Sequence, residues 1–376
     1  AGASLAAMVA ASTVQAQTNA DEPIVVTATR IQQSIQDVPV SITAYTGEDL
    51  KDRGIGSIVD LARQTPGLSI GQSTGEGGIP LISIRGVSLQ DYSDINESPS
   101  AVYINEFYKG ALFGLDNQLF DMERVEVLRG PQGTLFGRNA TGGVIQYVTV
   151  APSEAFSGYG ELGIGEYGLF RAEGAVGGRL AEGVQARVSY FHKESNGYNK
   201  NLFAGRPNGN GLNVEAVRAQ LRFKPTTNFS ADLFFQYSEN NSNGNMFTHI
   251  SVLVDPATGL AGNNPGGVDT TGYRDPTPGN PWDVNVDAET YLKTKQYTVI
   301  GRFDWNISDA LTLTSITGYE ASHKDMLVDS DASPNFVRES DFHPDAEEFS
   351  QELRLAGDMG DVRWVAGAYY FNYDVK

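Results

Sequence analysis

Residues 129–145 read RGPQGTLFGRNATGGVI, and this glycine-rich stretch decides how the first part of the chain folds. Glycine allows a positive φ and a close approach between two backbones. A β-prone segment, 123–128, leads into the stretch, and another, 144–150, leads out of it. The pattern therefore predicts a tightly folded connection between two strands, and not a flexible tether.

Phosphate binding is one alternative for a glycine-rich loop. A P-loop needs Gly-Lys-Ser/Thr at the start of a helix, and residues 129–145 contain no lysine. The sequence GIGEYG at 163–168 has the GxGxxG spacing of dinucleotide sites, but no helical segment follows it. We interpret 163–168 as a β-turn, and for 129–145 taken alone a purely structural turn stays open.

Composition narrows the class of protein. The net charge of −19 disfavours a nucleic-acid partner, which would require a basic face. Cysteine is absent, so there are no disulfides and no thiolate metal sites. No apolar run reaches the roughly 18 residues of a membrane helix. A membrane β-barrel is compatible with this, because its strands alternate apolar and polar residues. The 42 glycines and 17 tyrosines fit that class.

Residues 129–145 resemble the signature that closes the plug domain of TonB-dependent outer-membrane receptors. Residues 84–86 (IRG) and 102–106 (VYINE) resemble further landmarks of that domain. The resemblance runs from residue 24 to the last residue and is strongest over 24–150. It implies a small α/β plug domain, residues 37–150, inside an antiparallel membrane β-barrel.

Local signals support mixed α/β structure in the plug region. Alternation predicts a strand over 38–46, and further strands are predicted over 81–85 and 101–106. Short helices are predicted over 47–53 and 57–64. Ser57 is the expected N-cap of the second helix, with Asp60 three residues later in a variant of the capping box.

The N-terminal residues carry two expectations. Residues 1–16 are small and apolar and end in VQA, which resembles a signal peptide cleaved after Ala16, with a short buried helix as the alternative. Residues 17–36 are expected to be a linker. An extended segment in it can add as a strand to a partner's sheet, although an ordinary edge strand is also possible. Its position resembles the family's TonB box, which implies that the periplasmic domain of TonB binds Ile24, Val25, Val26, Thr27 and Ala28.

From residue 151 onward the chain changes to strands with alternating faces, and we predict the N-terminal part of a transmembrane β-barrel over 151–376. Nine strands are expected: 160–164, 170–176, 184–192, 217–223, 229–237, 297–305, 311–319, 349–355 and 362–370. Short connections alternate with long ones at 194–212, 239–289 and 324–346, which is typical of outer-membrane barrels. An odd strand count cannot close such a barrel, and receptors of this kind have about 22 strands. A fragment of a longer barrel is therefore expected.

Three arginines lie in the glycine-rich elements of the predicted plug: Arg85, Arg129 and Arg138. One interpretation is that they make hydrogen bonds inside the plug. The other is that they pair with carboxylates of the barrel lumen, such as Glu161 and Glu173, and so couple plug to barrel at modest net energy.

Other clusters do not indicate chemistry. The four histidines, His192, His249, His323 and His343, show no metal-binding spacing. Asp325, Asp329 and Asp331 share one long loop, but the loop lacks the glycine and the spaced glutamate of a calcium site. No catalytic residue, resident metal or cofactor is predicted.

The function that the resemblance implies is TonB-dependent import of a scarce nutrient across the outer membrane of a Gram-negative bacterium, without enzyme activity. The implied partners are TonB, outer-membrane lipid and a small substrate. A ferric siderophore is the usual cargo, and oligosaccharide, cobalamin or haem are the alternatives. From other classes, a passive channel or adhesin and a periplasmic enzyme or sugar-binding β-protein remain open.

Overall fold

The structure is a computed structural model that describes residues 24–27, 30, 33–72, 78–89, 93–115, 119–249, 252–254, 261–263, 268–269, 271–360 and 362–376. The predicted signal peptide, residues 1–16, lies outside these ranges, as does Ala28 of the predicted TonB box. Within them, no helix is both long enough and apolar enough to cross a membrane.

The first part of the chain is a small α/β unit, which we call the N-terminal unit. Its helices are α1 (Gly47–Asp52), α2 (Ile58–Gln64) and α3 (Gly133–Phe136). Its strands are β1 (Val25–Val26), β2 (Gln33–Ser34), β3 (Ser41–Thr46), β4 (Leu68–Gln72), β5 (Pro80–Ile84), β6 (Ser100–Ile104), β7 (Phe107–Tyr108), β8 (Met122–Arg129) and β9 (Gly143–Thr149). A five-stranded sheet has the order β3-β8-β9-β6-β7, in which only β6 and β9 run parallel. Strands β4 and β5 pair separately.

Capping and burial explain the two longer helices. Thr46 and Asp49 form a reciprocal capping box at the start of α1. The predicted N-cap of α2 is confirmed, because the Ser57 hydroxyl accepts a hydrogen bond from the Asp60 amide. Ile58 and Leu61 form the buried face of α2.

The glycine-rich stretch is the predicted tight connection between strands β8 and β9. The Gly130 amide donates to the Gly142 carbonyl at 2.9 Å, so the ends of the connection are pinned together. Gly130 has a φ of 99°, which an L side chain rarely adopts. At Gly143 a Cβ atom would overlap the Leu128 carbonyl. The short helix α3 inside the connection was not predicted.

The second part of the chain is dominated by one antiparallel sheet, which we call the wall sheet. In chain order the strands are β10 (Ser157–Ile164), β11 (Phe170–Ala181), β12 (Val184–Ser195), β13 (Lys200–Asn201), β14 (Leu212–Thr226), β15 (Phe229–Asn243), β16 (Val252–Val254), β17 (Ala261–Asn263), β18 (Asp283–Val284), β19 (Tyr291–Ser308), β20 (Leu311–Asp329), β21 (Glu339–Phe342), β22 (Asp345–Asp358) and β23 (Arg363–Val375). The wall sheet has the order β10-β11-β12-β14-β15-β19-β20-β22-β23, with β21 paired to β20. Each of the nine predicted strands is confirmed, and all are longer than predicted.

The wall sheet buries its polar side chains and exposes its apolar ones, which is the opposite of a sheet in a soluble protein. On β12, Arg187 and Ser189 are buried, whereas Val188 and Tyr190 are exposed. The buried face lies against the N-terminal unit and the exposed face is apolar. This arrangement is the one that a membrane barrel requires, with lipid outside and a polar lumen inside.

The N-terminal unit packs directly on the inner face of the wall sheet. A single apolar core joins Ile58 and Leu61 of α2 to Phe234, Ile300 and Ile316 of wall strands. Ion pairs also join the N-terminal unit to the wall strands. The N-terminal unit is therefore held by both apolar and ionic interactions.

Candidate functional site

The predicted partner-binding segment is docked onto the N-terminal unit. Val25 and Val26 pair with Ser34 and Gln33 in a two-residue antiparallel ladder. Val26 is fully buried, whereas Val25 is 46% exposed. The burial of Val26 comes from an apolar cluster that includes Leu128. The segment is thus extended, as predicted, but its pairing edge is occupied by the chain itself.

Polar contacts fix the next residue of the segment. The Thr27 amide donates to the Glu126 carboxylate at 3.1 Å, and the Gln146 side chain donates to the Thr27 hydroxyl at 2.5 Å. Burial raises the pKa of Glu126, and Arg124 and the Thr27 groups offset part of that effect. The buried Glu126 carboxylate therefore depends on the segment for part of its hydrogen bonding.

A charge cluster around Glu106 connects the N-terminal segment, the N-terminal unit and the wall sheet. Arg354 lies 2.6 Å and Arg30 lies 3.5 Å from the Glu106 carboxylate, and Arg302 also contacts it closely. Glu352 completes the cluster through Arg354, at 3.5 Å, and Arg30, at 3.9 Å. Burial alone would raise the pKa of Glu106, but Arg302, Arg354 and Arg30 hold it at about 2.

Arg30 also rests on aromatic rings. Its guanidinium carbon lies 4.3 Å from the ring centre of Phe136 and 5.0 Å from that of Tyr103. Both rings belong to the N-terminal unit. Arg30 therefore links the partner-binding segment to the unit by stacking and to the wall sheet by charge.

A second attachment lies around Asp121. Arg187 of β12 makes two hydrogen bonds to the Asp121 carboxylate, at 2.5 and 2.7 Å, and Ser189 donates to it as well. Arg218 of β14 is fully buried and donates to the Phe120 carbonyl at 2.7 Å. A bidentate arginine–carboxylate pair has strict geometry and is stronger than a single ion pair.

A third attachment lies further toward the long loops. Lys109 pairs with Glu320, and the Gly110 amide donates to Glu348 at 2.6 Å. Lys324 lies 2.6 Å from both carboxylate oxygens of Asp94. Burial raises the pKa of Asp94, and Lys324 offsets part of that rise. The N-terminal unit is thus tied to the wall along its length.

The arginine pairing expected from the sequence is wrong. Arg138 pairs with Glu97 at 2.5 Å within the N-terminal unit. Arg129 donates to the Pro66 carbonyl at 3.0 Å, and the backbone N–H of Arg85 donates to the Gly67 carbonyl. These contacts correspond to the internal alternative, although the Arg138 guanidinium also lies 4.7 Å from the ring centre of Phe371 in wall strand β23.

Glu161 and Glu173 do contact the N-terminal unit, but through other partners. Glu161 pairs with Lys51, and Glu173 accepts a hydrogen bond from the Asp121 amide at 3.1 Å. Glu173 is also paired with Arg171 at 2.6 Å. Whether these two carboxylates couple plug motion to the barrel stays a prediction.

The sequence did not indicate which plug residues bind the wall arginines. Asn105 and Glu106 both have positive φ values, of 46° and 69°, in the turn between β6 and β7, and the sequence pattern does not show them. The wall arginines, in contrast, could have been recognised from the sequence as residues that need a partner in the lumen. Arg187 and Arg218 stand on the polar face of predicted membrane strands, and a charge there must face the lumen and find a partner.

A family model now identifies the N-terminal unit. Residues 34–144 match the model described as "TonB-dependent Receptor Plug Domain". The chain carries a TonB-dependent receptor plug domain. The wall sheet is accordingly the part of the barrel that encloses this plug, and its apolar outer face lies in the outer membrane. The family consists of receptors and transporters, which are not enzymes.

Curated relatives are similar over part of the chain. The vitamin B12 transporter BtuB of Vibrio vulnificus is 27% identical over 243 residues, which is 63% of this chain and 38% of that protein. The pesticin receptor of Yersinia pestis is 29% identical over 215 residues, 56% of this chain and 31% of that protein. The chain thus spans less than half the length of these relatives.

Solved structures share the plug-in-barrel fold. The ferric yersiniabactin uptake receptor FyuA from Yersinia pestis superposes with a TM-score of 0.72 at 22% identity, over 89% of this chain and 48% of that one. The ferripyoverdine receptor of Pseudomonas aeruginosa gives 0.71 at 18% identity, over 94% and 45%. At these identities the likeness establishes the fold and not the cargo.

Proposed function

We propose that this chain contributes the plug and the first part of the barrel of an active outer-membrane importer driven by TonB. In this proposal residues 17–36 are the TonB-binding segment and linker, 37–150 the plug and 151–376 barrel wall. The observation that carries the proposal is the Glu106 cluster. It places Arg30, three residues after Thr27, in contact with both the plug and the wall.

The attachment of residues 24–27 suits reversible release. It consists of a two-residue ladder, the contacts of Thr27 and the buried side chain of Val26. A partner that offers a longer strand edge replaces the ladder at little net cost. Withdrawal of Arg30 then removes one of the three guanidinium groups around Glu106. Force applied at the segment thereby reaches the plug–wall contact.

The names of the relatives favour an iron chelate as cargo, since one is a ferric-pyoverdine 358 receptor of Pseudomonas putida and a solved neighbour takes up ferric yersiniabactin. Another relative is a vitamin B12 transporter. Oligosaccharide and haem are further candidates of the same class. The proposed activity makes and breaks no bond, so the protein acts as a transporter and not as an enzyme.

The test compares Val25→Pro with Val25→Thr in the full-length receptor. Proline cannot donate a backbone hydrogen bond to a strand partner, whereas threonine is accepted in a strand. We expect uptake of the cognate nutrient to fail in Val25→Pro and to persist in Val25→Thr. Ligand binding at the cell surface should survive in both variants.

A passive channel or adhesin predicts a different result. It would show wild-type uptake in Val25→Pro cells and in cells that lack TonB. Either result, in cells whose outer membrane contains normal amounts of the receptor, would overturn the proposal.

A further inference from the structure

Two cavities lie between the plug and the first strands of the wall sheet. The outer cavity, of about 380 Å³, is lined by Leu169 and Lys193 at the long-loop end of the sheet. The inner cavity, of about 470 Å³, reaches Tyr159 near the short-turn end and Val150, the residue that follows the last plug strand. Together the two cavities extend along strands β10–β12 from one end of the sheet towards the other.

The two cavities meet at Arg171 of β11, which lies opposite Gly54 and Gly56 of the plug. All three residues line both cavities. A Cβ atom at Gly56 would lie 3.4 Å from Nη1 of Arg171, so the guanidinium narrows the space between wall and plug at this point. Arg171 is paired with Glu173 at 2.6 Å, but its side chain is still 38% exposed. A side chain with open space beside it changes rotamer readily.

The lining of both cavities is charged and polar. Among the described residues, the inner cavity is lined by four carboxylates and three basic side chains, and the outer cavity by one carboxylate and three basic side chains. Polar cavities of this size hold water. The positive balance of the outer cavity attracts a negatively charged solute from the long-loop side.

The plug is loosely attached where it faces the inner cavity. Residues 47–56, which comprise α1 and the following turn, contribute much of the plug side of this cavity. Their ion pair with the wall joins Lys51 to Glu161, whose side chains are 66% and 38% exposed. Exposed ion pairs contribute little to stability. This part of the interface can therefore separate at low cost.

On β20 and β22, in contrast, the plug is closely packed against the wall. A Cβ atom at Gly318 of β20 would overlap the Phe107 ring of the plug, and one at Gly110 would lie 2.7 Å from a wall carboxylate oxygen. Glu106, in the same plug hairpin, keeps two wall arginines when Arg30 is withdrawn. This packing leaves no space for a solute, so we expect the hairpin to stay attached while the cavity side opens.

We propose that the cargo crosses the plug along strands β10–β12, through these two cavities, and that Arg171 is the gate between them. The proposal rests on the proposed import function and adds its route. In the resting receptor the Arg171 guanidinium lies opposite Gly56 and separates the cavities. When TonB pulls the N-terminal segment and the plug shifts, the gap between these residues widens, and the joined cavities form one polar passage.

The first test measures the gate without cargo and without TonB. The full-length receptor is inserted into a planar lipid bilayer, and its conductance is measured in potassium chloride. We expect Arg171→Ala to raise the conductance about tenfold or more, because the two cavities become continuous. The matched control is Arg179→Ala, since Arg179 lies on the same strand and pairs with Glu154 at 3.9 Å but lines neither cavity.

The second test closes the passage again with a thiol adduct, which the absence of cysteine from the chain makes specific. Gly56→Cys places a thiol opposite Arg171, and the control Gly133→Cys places one where a Cβ meets no atom within 4 Å. Each is combined with Arg171→Ala and labelled with a bulky maleimide. The adduct at position 56 should abolish the added conductance, and the adduct at position 133 should leave it unchanged.

The same adducts test the route of the cargo in cells, without the Arg171→Ala change. The probes are iron-55 complexes of one catecholate and one hydroxamate siderophore. We expect unlabelled Gly56→Cys to take up the same complex as the wild type. Labelling at position 56 should stop this TonB-dependent uptake while binding at the cell surface persists, and labelling of Gly133→Cys should not affect it.

Three results would overturn the route. The first is a conductance of Arg171→Ala that equals that of the wild type. The second is an equal effect of the adducts at positions 56 and 133 on the conductance. The third is undiminished uptake after labelling of Gly56→Cys, which would refute the route and leave TonB-driven import intact. Wild-type uptake that does not need TonB would contradict the import function instead, and the conductance results would stand.

Discussion

Glu106→Gln removes the carboxylate that three guanidinium groups contact, while it keeps the size of the side chain. Burial would raise the pKa of Glu106, but Arg302, Arg354 and Arg30 lower it from 4.5 to about 2. One pKa unit corresponds to about 1.4 kcal/mol. The charged carboxylate therefore contributes ~3 kcal/mol to the cluster as a whole, which joins the N-terminal segment, the plug and the barrel wall.

The lowered pKa of Glu106 also predicts how the wild-type contact depends on pH. Because the pKa is lower when the plug is attached, the contribution is complete above about pH 4.5. It is lost progressively as the pH falls from about 4.5 to about 2. Plug attachment in the wild type should weaken in that window, and the Glu106→Gln variant should lack this component of the acid response.

The assay uses the absence of cysteine from the chain. A single Val26→Cys reporter is buried, and its thiol is labelled only when residues 24–27 leave the plug. Arg30 is the most distant of the three guanidinium groups, so its share of the ~3 kcal/mol is about 1 kcal/mol. Glu106→Gln should therefore speed labelling about fivefold. The concentration of urea needed to expose the plug to protease should fall as well.

Glu123→Gln is the control for this experiment. Glu123 is also a paired plug carboxylate, but it is half exposed, and such pairs contribute little. Labelling at the wild-type rate in Glu106→Gln, together with an unchanged urea midpoint, would refute the assigned role of the cluster. Arg30→Gln combined with Glu106→Gln should be less than additive, since the two side chains share one contact.

Two further predictions concern other parts of the plug. Asp121→Asn leaves the buried Arg187 without its carboxylate, so plug attachment should lose about 3 kcal/mol. The urea concentration at the midpoint of protease access should fall accordingly. An unchanged midpoint would contradict the role of this pair. Gly143→Ala should prevent the plug from folding, because the added Cβ would overlap the Leu128 carbonyl. The control Gly133→Ala should be tolerated, because its Cβ meets no atom within 4 Å. Equal yields of protease-resistant plug from the two variants would contradict this prediction.

The sequence predicted the wall sheet well because one physical rule governs it. A membrane strand must alternate, and a residue such as Val188 between Arg187 and Ser189 shows the period directly. The lengths were underestimated. In β19 and β20 the strands continue beyond the apolar belt into polar residues, where hydropathy no longer marks them but the ladder between Tyr291 and Leu327 continues.

The sequence predicted the plug–wall contacts less well, since they join residues from distant parts of the chain. Alternation shows that Arg302 and Arg354 face the lumen, but it does not show which plug turn lies opposite them. Glu106 reaches them only because two consecutive residues adopt positive φ. Arg129 and Arg138 appeared suitable as partners of wall carboxylates by charge. Instead Arg129 donates to a plug carbonyl, and Arg138 pairs with a plug carboxylate and contacts the wall through the Phe371 ring.

The direction of the small ladder between β1 and β2 has a mechanical consequence. Val26 and Gln33 form the last pair before the chain turns back, so a pull on the chain before residue 24 acts at the open end of the ladder, where Val25 faces Ser34. Hydrogen bonds loaded in this way rupture one after another, as in a zipper, and each needs only a small force. Bonds loaded in shear would have to rupture together. The hydrogen bonds between Thr27 and Glu126 would bear the load next, and the stacked guanidinium of Arg30 would follow. The tension should therefore rise in steps before the plug itself deforms.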